Sequence, residues 1–269
     1  MRRPLVAFLV LSGVSMAQPV AALYGLTSGP ARLESAGALA FGPEGILFVG
    51  DAAGGAIFAL DTGDRAAVPE TAGIAITSID KKIAALLGTT PAQVQFNDIK
   101  VNPISKNVYL ALSRGRGPDA IPVLLRIEPS GAMSELRTDN IPHARMTLPG
   151  LSAVSPLRRR TASRVLAITD LQYSEGQLVV AGLSNEDFSS TLRVIPFPFS
   201  SADRGASIEI FHTSHFAYET NAPVRTMVPY TSGGERFLLA AYTCTPLVKL
   251  RMSDWGAYHR RNAGGTRAA

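Results

Sequence analysis

Leu39-Ala40-Phe41-Gly42-Pro43-Glu44-Gly45-Ile46-Leu47-Phe48-Val49-Gly50-Asp51 reads as two short apolar strands around a Gly-Pro-Glu-Gly turn. After Gly54-Gly55, Ala56-Ile57-Phe58-Ala59-Leu60-Asp61 follows as a third. Proline presets the φ of a turn and glycine supplies the positive φ that other residues resist, so this punctuation marks the reversals of an antiparallel meander. The same unit recurs three times. The second copy is Asp98-Ile99-Lys100-Val101, the turn Asn102-Pro103, Val108-Tyr109-Leu110-Ala111 and Val123-Leu124-Leu125-Arg126-Ile127. The third is Asp170-Leu171-Gln172-Tyr173, the turn Ser174-Glu175-Gly176, Leu178-Val179-Val180-Ala181 and Thr191-Leu192-Arg193-Val194-Ile195. The fourth is Thr226-Met227-Val228-Pro229, the turn Ser232-Gly233-Gly234, Phe237-Leu238-Leu239-Ala240 and Pro246-Leu247-Val248-Lys249-Leu250.

Within the units, the first strand's anchor (Leu39, Ile99, Leu171, Met227) leads the second strand's (Leu47, Val108, Leu178, Phe237) by 8, 9, 7 and 10 residues. Short loops impose that constancy in hairpins. Between units the anchors lie 60, 72 and 56 residues apart, against roughly 40–45 for a compact propeller blade. Each unit therefore carries an insertion. Repeated short meanders of this kind predict an all-β β-propeller of about four recognisable blades, with a β-sandwich or solenoid as the alternative. In the first insertion, Ser78 to Gly88 predicts a short helix capped by Ser78, with Ile79, Ile83 and Leu86 or Leu87 on one apolar face, lying across one propeller face. The second, Asp139 to Arg164, holds Pro142, Pro149 and Pro156 plus Arg158-Arg159-Arg160, and predicts an exposed loop.

The chain has 269 residues, 26 basic and 21 acidic, and 46% of it is hydrophobic, which excludes intrinsic disorder. A single Cys, Cys244, excludes an internal disulfide and a thiolate zinc cluster; at the end of an apolar strand it reads as a core residue. At the N-terminus Arg2-Arg3 precede an apolar run from Leu5 to Val14 and small residues at Ser15, Ala17, Ala21 and Ala22. This is the pattern of a secretory signal over residues 1–22, cleaved after Ala17 or Ala22, and predicts a secreted or periplasmic protein. The run falls short of the roughly 20 residues of a membrane span. The propeller domain is expected over 23–254. Beyond Asp254 the apolar alternation stops and no acidic residue occurs, while Arg260, Arg261 and Arg267 and the only Trp appear. Residues 255–269 therefore read as an atypical tail, from truncation or a shifted reading frame. Without the five arginines of the two terminal segments, 21 basic and 21 acidic residues remain. Nucleic acid thus loses its electrostatic footing as a partner.

Leu39-Ala40-Phe41-Gly42-Pro43-Glu44-Gly45 leading to Leu47-Phe48-Val49-Gly50-Asp51, Gly55 to Asp61, and the echo from Asp98-Ile99 through Asn102-Pro103 to Val108-Tyr109-Leu110 resemble exported propellers of the NHL-repeat and gluconolactonase (regucalcin-like) broad group. The resemblance covers about half the chain. It implies a ring of six or seven blades, of which this chain would hold an incomplete set. It also implies, without a residue-by-residue match, a Glu/Asn/Asp metal set at one end of the channel.

In a propeller the first strand of each blade lines the channel, so polar residues beside its anchors are the natural site candidates. Asn97, Asp98 and Asp170, with Glu34 upstream, would form an oxygen-rich cluster suited to calcium or magnesium. Asp98 and Asp170 are then the catalytic candidates. In the alternative reading these short side chains hydrogen-bond backbone amides of neighbouring blades or face channel water. A second group is His212-Thr213-Ser214-His215 with Tyr218, Glu219 and Arg225. Two His and a Glu could hold a transition metal such as zinc. Yet His at i and i+3 share a face only on a helix, and the flanking Ile208-Glu209-Ile210-Phe211 reads as a strand entering a loop. A polar loop or a single proton-shuttling His is the alternative.

Two function classes follow. One is a binding or scaffold propeller presenting loops to a small molecule, glycan or protein. The other is a metal-dependent hydrolase of the gluconolactonase type, acting on a lactone or ester through an ion that polarises its carbonyl.

Overall fold

A computed structural model describes residues 19–68, 73–151, 166–183, 190–200, 223–242 and 247–254, together with the strand backbones at 206–207, 210–212 and 217–219. The signal pattern up to residue 18, Arg158-Arg159-Arg160, Cys244 and the tail from 255 onward lie outside the described residues. Of the two expected cleavage points, Ala22 falls within a four-residue helical turn, α1 (Val20–Leu23), and Ala17 is not described.

The architecture is all-β with few helices. The first sheet runs in the order β1 (Thr27–Gly29), β9 (Ile141–Thr147), β4 (Ala56–Asp61), β3 (Ile46–Asp51), β2 (Leu39–Phe41). The second is the meander β5 (Val94–Val101), β6 (Val108–Arg114), β7 (Ile121–Ile127), β8 (Met133–Glu135). The third is β10 (Asp170–Ser174), β11 (Gln177–Leu183), β12 (Ser190–Pro196), β13 (Ala206–Ser207). A two-stranded piece, β14 (Ile210–His212) with β15 (Ala217–Glu219), precedes the fourth sheet of β16 (Val224–Ser232), β17 (Glu235–Tyr242) and β18 (Val248–Arg251). All these pairings are antiparallel, and the four quoted sequence units supply β2–β4, β5–β7, β10–β12 and β16–β18.

Alternation along each strand sends its apolar residues to two faces, and the faces pack in a definite order. Leu39, Leu47, Val49 and Phe58 of the first sheet meet Tyr109, Ala111 and Leu124 of the second. The opposite face of the first sheet, with Ala40, Ile46, Phe48 and Ile57, meets Leu171, Leu178, Val180 and Ile195 of the third. Val179, Ala181 and Leu192 on the third sheet's other face meet Met227, Leu238, Ala240 and Leu250 of the fourth. The spatial order is therefore second, first, third, fourth, which differs from chain order. Neighbouring sheets touch through their first strands, β5 beside β2, β2 beside β10 and β10 beside β16.

Glycine permits the closest approach. A Cβ on Gly50 of β3 would lie 2.8 Å from the Ile168 side chain, and one on Gly182 of β11 would sit on the Ala167 carbonyl. The lead-in to the third sheet thus lies against backbone. Phe48 adds an edge-on contact to Phe197, at 4.8 Å between centroids, and Tyr24 stacks on the same ring at 5.4 Å.

Two local expectations change. The helix forms as α2 (Ile79–Leu86), but Ser78 adopts φ 51° and ψ 46° and its hydroxyl makes no capping bond. Ile83, Ala84 and Leu87 are buried against Leu110, Leu112, Val123 and Leu125, so α2 covers the outer face of the second sheet alone, and Leu86 points to solvent. The segment expected to be wholly loop from Asp139 contains β9, which extends the first sheet beyond β4 from Ala56↔Thr147 to Leu60↔His143. Pro142 is tolerated there because only the three-residue β1 flanks it, at Ser28.

Candidate functional site

The first strands β2, β5, β10 and β16 are edges of their sheets, so one side of each carries amides that no ladder partner satisfies. Asp98 and Asp170 meet that demand in the same way. Asp98 Oδ2 accepts the Leu39 N–H of the neighbouring sheet at 2.7 Å, and its Oδ1 accepts the following Ile99 N–H at 2.7 Å. Asp170 Oδ2 accepts the Met227 N–H of the neighbouring sheet at 2.7 Å and the Thr226 hydroxyl at 3.1 Å; its Oδ1 accepts the following Leu171 N–H at 2.8 Å. The preceding residues complete the pattern. Asn97 Nδ2 donates to Ala36 O at 2.7 Å and to Ser113 Oγ at 2.9 Å, and Thr169 Oγ1 donates to Val224 O at 2.5 Å. Both acceptor carbonyls stand three residues before the amide that the carboxylate holds, Ala36 just before β2 and Val224 in β16. Two of the three sheet-to-sheet contacts therefore carry one polar device, a carboxylate and a donor in consecutive positions clamping the next first strand.

At the third contact the matching positions are Gly37 and Ala38, which have no side chain able to bond. Close glycine packing and the Phe48–Phe197 cluster hold it instead.

The electrostatics follow from burial. Desolvation pushes the Asp170 carboxyl above its ordinary value, against the opposing pull of the Met227 amide, the Lys100 charge, and the Leu171 and Thr226 donors. Asp98 is only partly buried. Glu34 is exposed in the segment before β2, where its backbone N–H donates to Asp51 Oδ2 at 3.0 Å. Asn97 and Asp98 thus serve the contact between the second and first sheets and Asp170 that between the third and fourth, with the first–third contact between them. Among the described residues, no three His, Cys, Asp or Glu side chains form a group that could hold a metal ion.

In the second candidate group, His212 pairs in register with Ala217, and Ile210 pairs with Glu219, in the short β14–β15 hairpin. The side chains of His212 and Glu219 and the whole of His215 lie outside the described residues. Arg225 is exposed on β16.

Two carboxylates that sequence reading did not single out are the most heavily bonded among the described residues. Asp51 Oδ1 accepts the Ser35 amide at 2.8 Å, the Ser35 hydroxyl at 2.9 Å and the Gly54 amide at 2.9 Å. Asp64 Oδ2 accepts Ser105 Oγ at 2.7 Å, Asn107 Nδ2 at 2.9 Å, the Tyr109 hydroxyl at 2.9 Å and Asn102 Nδ2 at 3.2 Å. Burial pushes the Asp64 carboxyl upward, but the four donors outweigh it and hold it below its ordinary value. Burial and the Asp64 charge together raise the Tyr109 phenol. Asn102-x-x-Ser105-x-Asn107-x-Tyr109, a run of side-chain donors through the β5–β6 turn and into β6, is the sequence feature that forms this cradle.

Among the described residues no helix is long and apolar enough to cross a membrane. No family model matches the chain. No curated protein matches it. Among solved structures it is similar to one titled "Streptogramin B lyase structure", at 9% identity and a TM-score of 0.23, over 83% of this chain and 72% of that one. A likeness of that size carries no argument about fold or function.

Proposed function

We propose that this chain is an exported binding or scaffold protein whose four main sheets are blades of a β-propeller, with a small molecule, glycan or protein as its ligand. In this reading Asp98 and Asp170 belong to the frame. The observation that supports it is the bonding of the two carboxylates: every oxygen already holds a backbone amide, which aims it along a strand and at a neighbouring sheet. A carboxylate that ligates a metal or moves a proton needs an oxygen turned toward the open site. The ligand surface would then be the end of the sheets at which β5 and β10 begin. There the β3–β4 turn, the β6–β7 loop and the segments leading into β2 and β5 gather, with Arg32, Gln95 and Arg116 exposed. Export is supported by the charged and apolar order of the N-terminus.

Calcium, magnesium and zinc, added singly to the metal-stripped protein while the melting midpoint is followed, test this reading. An unchanged midpoint with all three, and no hydrolysis of lactone or ester substrates in their presence, is the expected result. A rise with any one of them that disappears in Asp98→Ala or Asp170→Ala would overturn it and restore the metal-dependent hydrolase.

A further inference from the structure

Arginine is used differently at the two ends of the strands. At the end where β4 and β7 finish and the β10–β11 and β16–β17 turns lie, arginines sit in ion pairs: Arg65 with Asp61, Arg126 with Glu128, Arg236 with Glu175 and Arg251 with Glu235. At the opposite end, where β5 and β10 begin, three arginines are bonded to neutral groups. Arg116, in the β6–β7 loop, donates from Nε and Nη2 to Ala92 O at 3.1 and 3.0 Å and from Nη1 to Gln95 Oε1 at 3.4 Å. Arg145 of β9 donates from Nη2 to Gly54 O, in the β3–β4 turn, at 3.1 Å and from Nη1 to Thr147 Oγ1 at 2.7 Å. Arg114, half-buried at the end of β6, donates to Leu87 O at 3.2 Å. Among the described residues no carboxylate pairs with any of the three. Three of the carboxylates that share this end keep their charge below its surface: Asp51 and Asp170 are 1% and 5% exposed, Asp98 is half-buried, and all three hold backbone amides. Glu34 and Asp119 are exposed there.

We propose that Arg116 and Arg145 bind an acidic glycan through the carboxylates or sulfates of its sugars. The inference rests on the reading of this end as the ligand surface. Both side chains are exposed, and of the five N–H groups of a guanidinium Arg145 spends two and Arg116 three on neutral acceptors. The planar fork that is left matches a carboxylate or sulfate, which makes a stronger, charge-assisted bond. The two arginines stand on one hydrogen-bonded frame. Gly54 N–H and Ser35 both donate to Asp51 Oδ1, and the Ala36 carbonyl next to Ser35 accepts Asn97 Nδ2. Asn97 also donates to Ser113 Oγ and stands two residues from Gln95, the partner of Arg116. A ligand spanning both charges therefore meets positions already fixed by folding, at little ordering cost. A glycan fits this end better than a peptide does. Extended peptides bind by adding to a strand edge or filling an apolar groove, whereas the strands reach this surface by their tips and present turns and loops.

Binding of the whole chain to immobilised polygalacturonate, dextran sulfate and uncharged dextran, followed by biolayer interferometry at low salt, decides it. Retention on polygalacturonate, dextran sulfate or both is expected, the first reporting carboxylate and the second sulfate recognition, with none on dextran and a loss as salt is raised. Arg116→Ser and Arg145→Ser, with unchanged circular dichroism spectra, should each weaken binding about tenfold or more, and Glu34→Gln should strengthen it. Arg236→Ser, at the ion-paired end, should leave it unchanged. Failure to bind either polyanion, binding indifferent to both serine variants or weakened equally by Arg236→Ser, and equal retention on polyglutamate or duplex DNA would each overturn the proposal. So would binding that is lost only when Arg158, Arg159 and Arg160 are replaced by Ser. The metal titration above separates the two readings: a protein that binds no polyanion overturns this inference alone, whereas binding that requires calcium and is lost in Asp98→Ala overturns the metal-independent reading with it.

Discussion

Replacing Asp170 by Ala should destabilise this protein more than any other change at the clamp positions. Asp170 is 5% exposed, and its removal orphans the amides of Leu171 and Met227, residues themselves only 0% and 1% exposed. Each buried unpaired donor costs about 1–3 kcal/mol. Part of that is returned because the ionised carboxylate was itself buried at a cost, as its raised pKa records. A net loss of about 2–3 kcal/mol is expected, or about 4–12 °C in melting midpoint for a chain of this size. Asn should rescue little: it keeps one acceptor, but its amide group turns a donor toward the other N–H. Asp98→Ala orphans only one well-buried amide, that of Leu39, and should cost about 1–2 kcal/mol. The pH dependence has a definite sign. A carboxyl raised above its unfolded value of about 3.9 binds more protons in the folded state, so its contribution is full below that value and declines as pH rises through the folded pKa. The stability gap between wild type and Asp170→Asn should therefore narrow from acid toward neutral pH. Urea unfolding of the variants across that range measures it. An Asp170→Ala protein as stable as the wild type, or less affected than Asp98→Ala, would refute the bridging role.

Asp64 has the opposite sign: its lowered pKa makes its contribution full above the unfolded value and lost as pH falls through the folded one. Asp64→Asn should thus cost about 2–4 kcal/mol at neutral pH and progressively less in acid, by the same urea titration. Gly182→Ala drives a methyl into the Ala167 carbonyl and should cost about 1–3 kcal/mol or more, read as a drop in melting midpoint, whereas Gly63→Ala meets no atom within 4 Å and is limited to the strain of its positive φ. Ile83→Ala in α2 empties a fully buried position between helix and second sheet and should cost about 2–5 kcal/mol. Loss of helical amide protection in hydrogen exchange would locate that effect.

The strands of the four units, their hairpin partners and the presence of α2 were legible in the sequence because they are local. Period-two alternation, Gly and Pro punctuation and loops of constant length act over fewer than a dozen residues, and the third unit's Asp170 to Ile195 falls on β10 to β12. The four site candidates on first strands and before β2 were also visible as polar residues beside apolar anchors. Their work was decided by the tertiary structure alone. Asp98 lies 59 residues from the amide it holds and Asp170 lies 57 from its own, and nothing local says which edge will be set beside which. The insertion of the first sheet between the second and the third, and the return of β9 to extend it past Pro142, arise in the same way. Sheet faces are interchangeable as apolar surfaces, so their order is fixed by side-chain fit across them: glycines where Ile168 and the Ala167 carbonyl approach, and a carboxylate where an unpaired edge amide must be met.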